Sequence, residues 1–326
     1  MSLMNAARSM KRKALRYRQG PRANLCLLGI RRGGSTVLAD MVAGQLGVWF
    51  ANEPFAVFDH HLNAGARLHR WLPRLPHSQF FDLDNEQTRQ FDDYVALLNR
   101  GAIPIGTARK ARFPLYADRA CIKVLNAPFL ADRFAQTHGM TSVFLTRHPA
   151  GQAQSILRQG WGFSAEAYFA EPDFLATYLT GEEIELGQRL LSDASDWEKA
   201  ILNWWIENLY PLRHAASLAL VVTYEELTLR AEAWVALLCE ALSLDDPASM
   251  LAIANKPSNS SNMSTGDTVE RIAAGDRTPL ITGWQKKVSP DEVAQAQAIL
   301  DAFGVTEYRM DDPMPSASLR RFAEVS

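Results

Sequence analysis

The sequence predicts an α/β fold in which a parallel sheet of about five strands is flanked by helices. Three observations lead there. Short apolar runs recur at 24–28, 120–125, 141–145 and 218–224, with 48–50 as a shorter fifth. They are continuously apolar rather than alternating, as strands covered on both faces are. Helical patterns separate them, and strand alternating with helix marks parallel strands joined by crossover helices.

The elements follow in order. The first strand ends in Gly29, and the loop Ile30-Arg31-Arg32-Gly33-Gly34 leads to Ser35-Thr36. Val37, Leu38, Met41, Val42 and Leu46 then recur at helical spacing, which predicts a helix over 35–46. Further helices are expected at 91–100, 128–137, 151–159, 196–216, 231–242 and 290–302. The last has a clear start, with Ser289 as cap, Pro290 at the first position and Glu292 in the first turn. Two inserts, 52–118 and 160–210, carry many aromatic residues, which are expected mainly in the core. Trp204 and Trp205 are adjacent in a helix and should not share one core, so one of them is expected to line a pocket. The polar run 255–264 is too rich in Ser and Asn to pack and reads as a surface loop or lid.

Composition bounds the function. The chain has 326 residues, 47% of them apolar, enough to bury a full core. Its 34 basic and 36 acidic side chains leave a net charge of −2, which argues against a general nucleic-acid binder. No apolar run reaches the roughly 18–20 residues of a membrane span. Residues 1–21 read as a basic N-terminal extension without the apolar core of a signal peptide, and 312–326 as a loose C-terminal tail with Pro313 and Pro315. The domain between them spans 22–311. Cys26, Cys121 and Cys239 sit among apolar residues without metal spacing, which suits buried free thiols in a reducing cytoplasm. No His/Cys/Asp cluster has metal-ligand spacing, so no metal is expected.

Strand, glycine loop and helix start form an anion cradle, because loop and helix N–H groups converge on one point. The spacing nearly fits the phosphate loop of ATP and GTP enzymes, with Gly29 and Gly34 in place. Ser35 stands where that loop has its lysine, so a triphosphate is disfavoured and a shorter anion is expected, with charge from Arg31 or Arg32. Arg147 ends the 141–145 run, Pro149 follows two residues on, and Ser155 eight residues on. In an open α/β sheet both motifs fall at the carboxyl edge, where ligands bind.

In these two segments the chain resembles the sulfotransferases that use 3′-phosphoadenosine 5′-phosphosulfate, in a bacterial, carbohydrate-type or related branch. The family's 5′-phosphosulfate loop, R-S-G-[ST]-[ST]-x-L, corresponds to Arg32-Gly33-Gly34-Ser35-Thr36-Val37-Leu38. Gly33 departs from its serine and Arg31 from a common proline, and neither change removes the backbone cradle. A vaguer likeness runs from 22 to 311 and includes Thr223-Tyr224-Glu225-Glu226-Leu227 and Gly283-Trp284. The resemblance implies a P-loop-like fold and sulfuryl transfer from this co-substrate to an acceptor hydroxyl. It implies that Arg32 neutralises the leaving phosphate, with Gly33, Gly34, Ser35 and Thr36 around it. Arg147 and Ser155 would hold the 3′-phosphate, with Arg158 one turn on, and Trp284 and Lys286 would return to the nucleotide. Glu53 stands where related enzymes carry a catalytic glutamate, and His60 and His61 are the alternative bases. Arg32 or Arg147 could instead serve an ordinary salt bridge, and Glu53 could merely orient Arg31 or Arg32. A P-loop-type nucleotide or small-molecule kinase and a non-catalytic nucleotide-binding module are the rival functions.

Overall fold

The computed structural model describes residues 16–55, 83–102, 116–214, 217–254, 275–316 and Leu319. His60, His61 and the 255–264 run lie outside the described residues. Two short strands, β1 (Arg16–Tyr17) and β4 (Tyr116–Ala117), pair with each other. The five apolar runs form one parallel sheet from β2 (Leu25–Gly29), β3 (Val48–Asn52), β5 (Arg119–Val124), β6 (Thr141–Thr146) and β7 (Leu220–Thr223). Their order is β3-β5-β2-β6-β7, so the chain crosses from one side of β2 to the other between β5 and β6.

Alternate residues of the strands feed two separate cores. Leu25, Leu27, Val143 and Leu145 pack with Leu38, Met41 and Val42 of α1 (Ser35–Ala43) on one face. On the other, Cys26, Leu28 and Phe144 pack with residues of α2 (Asn85–Asn99), α3 (Pro149–Gln159) and α4 (Asp196–His214). The helices that follow β2 and β6 therefore lie on opposite faces. Between adjacent strands this opens a crevice at their carboxyl ends, directly over the Gly29 loop and Arg147.

The differences from expectation have local causes. The first helix stops at Ala43 rather than 46, with Gly44 as its cap, and Leu46 is 60% exposed. Helix α2 begins at Asn85, six residues before the apolar pattern at Phe91, because Asp84 and Gln87 form a capping box around a polar first turn. The capping box at Ser289 and Glu292, with Pro290 in the first turn, opens the final helix as read from the sequence. Three helices, Ala165–Phe169, Pro172–Tyr178 and Gly181–Asp193, fill a stretch where no helix was expected.

The expectation that Trp204 or Trp205 lines a pocket is corrected: both are buried. Helix α4 is packed on several sides, so it has more than one interior face. Trp204 donates its Nε1–H to the carbonyl of Arg147 at 2.7 Å, and Trp205 stacks on Phe303 with ring centroids 3.8 Å apart. Among the described residues no helix is long and apolar enough to cross a membrane. The thiols of Cys26, Cys121 and Cys239 are free, the first two fully buried. Beyond residue 311, the Ser316 N–H bonds the Glu307 carbonyl and Leu319 is buried.

Candidate functional site

The loop after β2 is shaped by contacts that only glycine permits. Gly34 has φ +93° and caps α1 in the left-handed region. A Cβ there would stand 2.3 Å from Cδ2 of Tyr224, and one at Gly33 would stand 2.6 Å from Cγ1 of Ile30. The Gly33 N–H donates to the Ile30 carbonyl at 3.1 Å and closes the turn. No side chain caps the start of α1, so its first N–H groups face the crevice end of the helix. Ser35 is buried behind the turn and Thr36 is exposed.

Three arginines gather at this point. Arg32 donates from Nε to the Ser155 hydroxyl at 2.9 Å, and its own carbonyl accepts from Arg147 Nη1 at 3.3 Å. The Arg147 guanidinium lies over the Tyr224 ring, 4.5 Å from its centroid, and bonds the Leu280 carbonyl. Burial, then the charges of Arg158 and Arg147, push the Arg32 pKa below its ordinary value. Among the described residues no carboxylate pairs with Arg32, Arg147 or Arg158. Cations brought together without a directly paired carboxylate make a site for an anion. Gly151, which sequence reading passed over, makes room: a Cβ there would stand 3.0 Å from Arg147 Nε. Tyr224 was legible only as part of a vague likeness, yet it touches both Gly34 and Arg147.

The turn carrying Arg147 is held by buried polar groups. The His148 N–H donates to Glu225 Oε1 at 2.9 Å, and Glu225 Oε2 accepts from the Tyr308 hydroxyl at 3.1 Å. His148 Nδ1 accepts from the Ala150 N–H and Nε2 donates to the Arg309 carbonyl, which fixes a neutral ring. Trp284 stacks on that ring at 4.5 Å and is itself buried, so it supports the Arg147 turn from within the core. Lys286 is exposed on the turn beyond it.

Burial depresses the His148 pKa from 6.5 to about 4 and raises that of Glu225 from 4.5 to about 7. The signs oppose. As pH falls from 6.5 towards 4 the unfolded chain binds the His148 proton first, and stability is lost. As pH rises from 4.5 towards 7 the folded chain keeps the Glu225 proton that the unfolded chain releases, and stability is again lost. Over the shared window the two slopes, each roughly 1.4 kcal/mol per pH unit, cancel. Glu225→Gln should unmask the histidine. Denaturant unfolding between pH 4.5 and 6.5 should show the variant gaining stability with pH relative to the parent; a pH-independent difference would refute this pairing.

Glu53 stands at the end of β3 with φ +48°, and Arg32 has φ +62°. Positive φ is uncommon outside glycine and marks strain held by its surroundings. Of the three such non-glycine residues described, these two are the ones singled out for chemistry. The Glu53 carboxylate pairs with Lys123 Nζ at 2.7 Å, and its N–H donates to the Lys123 carbonyl. Lys123 lies in β5, in register with Asn52 on one side and Leu27 on the other, and its side chain is 3% exposed. Strand β5 thus lies between β3 and β2, and the ion pair contemplated with Arg31 or Arg32 is made with Lys123 instead. The signal of Lys123 in the sequence was a lone lysine inside the run Cys121-Ile122-Lys123-Val124.

Arg31 turns away from the arginine cluster. Its Nε bonds Glu207 Oε1 at 3.3 Å, and its Nη2 donates to the Gly162 carbonyl at 3.1 Å. Among the described residues no group of three His, Cys, Asp or Glu side chains is placed to hold a metal ion.

No family model matches the chain, and no curated protein matches it. Similar solved structures include the sulfotransferase domain of the Synechococcus PCC 7002 olefin synthase, 18% identical with a TM-score of 0.39, covering 87% of this chain and 98% of that one. The sulfotransferase domain from the curacin biosynthetic pathway is 13% identical with a TM-score of 0.44, again covering 87% of this chain and 98% of that one. Mouse sulfotransferase SULT7A1 complexed with PAP is 13% identical with a TM-score of 0.40, covering 94% of this chain and 90% of that one.

Proposed function

We propose that this chain is a sulfotransferase that moves a sulfuryl group from 3′-phosphoadenosine 5′-phosphosulfate to an acceptor hydroxyl in the cytoplasm. The observation that carries the reading is the meeting of Arg32, Ser155 and Arg147 at the crevice, with no carboxylate on any of the arginines among the described residues. One anion belongs on the glycine loop and the start of α1. A second belongs on Arg147, Ser155 and Arg158, where guanidinium forks and a hydroxyl match phosphate oxygens. Two phosphate sites joined by the bonds from Arg147 to the Arg32 carbonyl and from Arg32 to Ser155 fit a nucleotide bearing phosphates on both the 3′ and 5′ positions, whereas Ser35 in place of lysine disfavours a triphosphate.

The chemistry is an in-line displacement. The acceptor oxygen bonds to sulfur as the sulfur–oxygen bond to the 5′-phosphate breaks, and negative charge grows on that phosphate. Arg32 and the N–H groups of the loop neutralise it. Glu53 takes the acceptor's proton, with Lys123 holding the carboxylate in place. The sulfuryl group carries less charge than a γ-phosphoryl group, so these cationic donors suffice.

The test is ligand stabilisation. Adenosine 3′,5′-bisphosphate at about 100 times its dissociation constant should add roughly 2.7 kcal/mol of apparent stability, read as a thermal shift. A shift with ATP and none with the bisphosphate would replace this reading with the kinase.

A further inference from the structure

We infer that Glu207 is a positioning residue for the phosphate loop: through Arg31 it holds the loop in the shape that puts Arg32 on Ser155, and it ties that shape to the 160–164 turn. The inference deepens the sulfuryl-transfer reading and rests on it only for one of its two readouts.

Glu207 is buried in α4, 2% exposed. Its Oε1 accepts from Arg31 Nε at 3.3 Å and from the Ser164 hydroxyl at 2.5 Å, and its Oε2 accepts from Gln152 Nε2 at 2.9 Å. Arg31 is the cation that pairs with it among the described residues. A buried carboxylate without a counter-ion is strongly unfavourable, so Arg31 is committed to this place. Gln152 clamps the arrangement, because the same Nε2 also donates to the main-chain carbonyl of Arg31 at 3.0 Å. The Arg31 guanidinium reaches the Gly162 carbonyl and the Ser164 hydroxyl as well, which draws in the next turn of the chain.

The consequence falls on the neighbour. With Arg31 directed at α4, Arg32 is directed at α3, and the backbone accommodates the divergence by taking Arg32 to φ +62°. An arginine does not hold that conformation unaided. Relaxing it would pull Arg31 from Glu207 and strand the carboxylate. The same lock sets the surroundings of Arg32, since Trp161, whose ring centroid lies 5.7 Å from the guanidinium carbon, belongs to the turn that Arg31 holds. Arg31 is thus occupied as a strut, and the ligand-facing charge is left to Arg32.

The test uses two variants and two readouts. Glu207→Gln leaves Arg31 without its counter-ion. Arg31→Leu with Glu207→Leu removes the whole pair, a change that often leaves stability intact or raises it. In the double variant Gln152 keeps the residue-31 carbonyl and Ser164 keeps Asn203, its other partner at 2.9 Å. The first readout needs no ligand: hydrogen exchange at the Gly33 amide, whose bond to Ile30 closes the loop. It should quicken by about 10-fold or more in both variants. The second is affinity for adenosine 3′,5′-bisphosphate, expected to weaken by about 10–100-fold in both, as misplacing a functional group does, while the double variant melts within a few degrees of the parent. Recovery of both stability and affinity in the double variant would overturn the positioning role and leave the pair a stabilising contact. If the parent itself does not bind the bisphosphate, the sulfuryl-transfer reading fails. The exchange readout then decides alone: unchanged protection at Gly33 in the double variant overturns the inference, and faster exchange upholds it.

Discussion

Glu53→Gln is expected to lower the saturated turnover by about 10²–10⁴-fold, measured as sulfate released from the donor or passed to any accepted hydroxyl. The glutamine has the same shape and still offers an oxygen to Lys123, but it cannot take a proton. Its carboxylate predecessor is 25% exposed at the sheet edge while Lys123 is 3% exposed, so the acidic end of the pair is the one open to solvent. Bisphosphate affinity should change little, because Glu53 touches none of Arg32, Arg147 or Ser155 among the contacts described. The control is thermal stability, since a buried lysine is left with a neutral partner. A variant that binds the bisphosphate normally and turns over at nearly the parent rate would remove Glu53 from the mechanism and turn attention to His60 and His61.

Arg147→Ala should weaken bisphosphate binding by an amount corresponding to one charge-assisted phosphate contact, about 1.5–3 kcal/mol, or roughly 10- to 150-fold. Adenosine 5′-phosphate is the discriminating ligand. It lacks the 3′-phosphate, so its affinity should be almost unaffected. Titration calorimetry with both nucleotides separates the outcomes, and equal weakening of both would move Arg147 from the 3′ site to the loop. The route for such an effect is visible in the bond from Arg147 Nη1 to the Arg32 carbonyl.

The two motifs were legible in the sequence because backbone demands dictate them. A left-handed cap at Gly34 pressed against Tyr224 leaves room for glycine only, and a strand that ends in Arg147 and turns into a helix at Pro149 announces itself locally. The five strands were legible for a similar reason, since burial on both faces requires continuous apolar runs. What stayed hidden depends on partners distant in the chain. Glu207 is 176 residues from Arg31, and Lys123 is 70 from Glu53, and no local pattern records either pairing. Of the helices at 165–193, the first two escaped notice because they are only 5 and 7 residues long, and the third because it is mostly polar and is defined by its Thr180–Glu183 capping box and by packing. Trp204 and Trp205 were misjudged because a helix buried on more than one side has no single apolar stripe to read.

Trp161 gives the molecule an optical window on its own site. It is 44% exposed, whereas Trp49, Trp197, Trp204, Trp205, Trp234 and Trp284 are all 6% exposed or less. Those buried indoles emit from apolar surroundings and are shielded from ionic quenchers. Among the described tryptophans the indole of Trp161 is the one that emits from water, beside the Arg32 cation, so its red-edge emission and its quenching by iodide report on the mouth of the crevice.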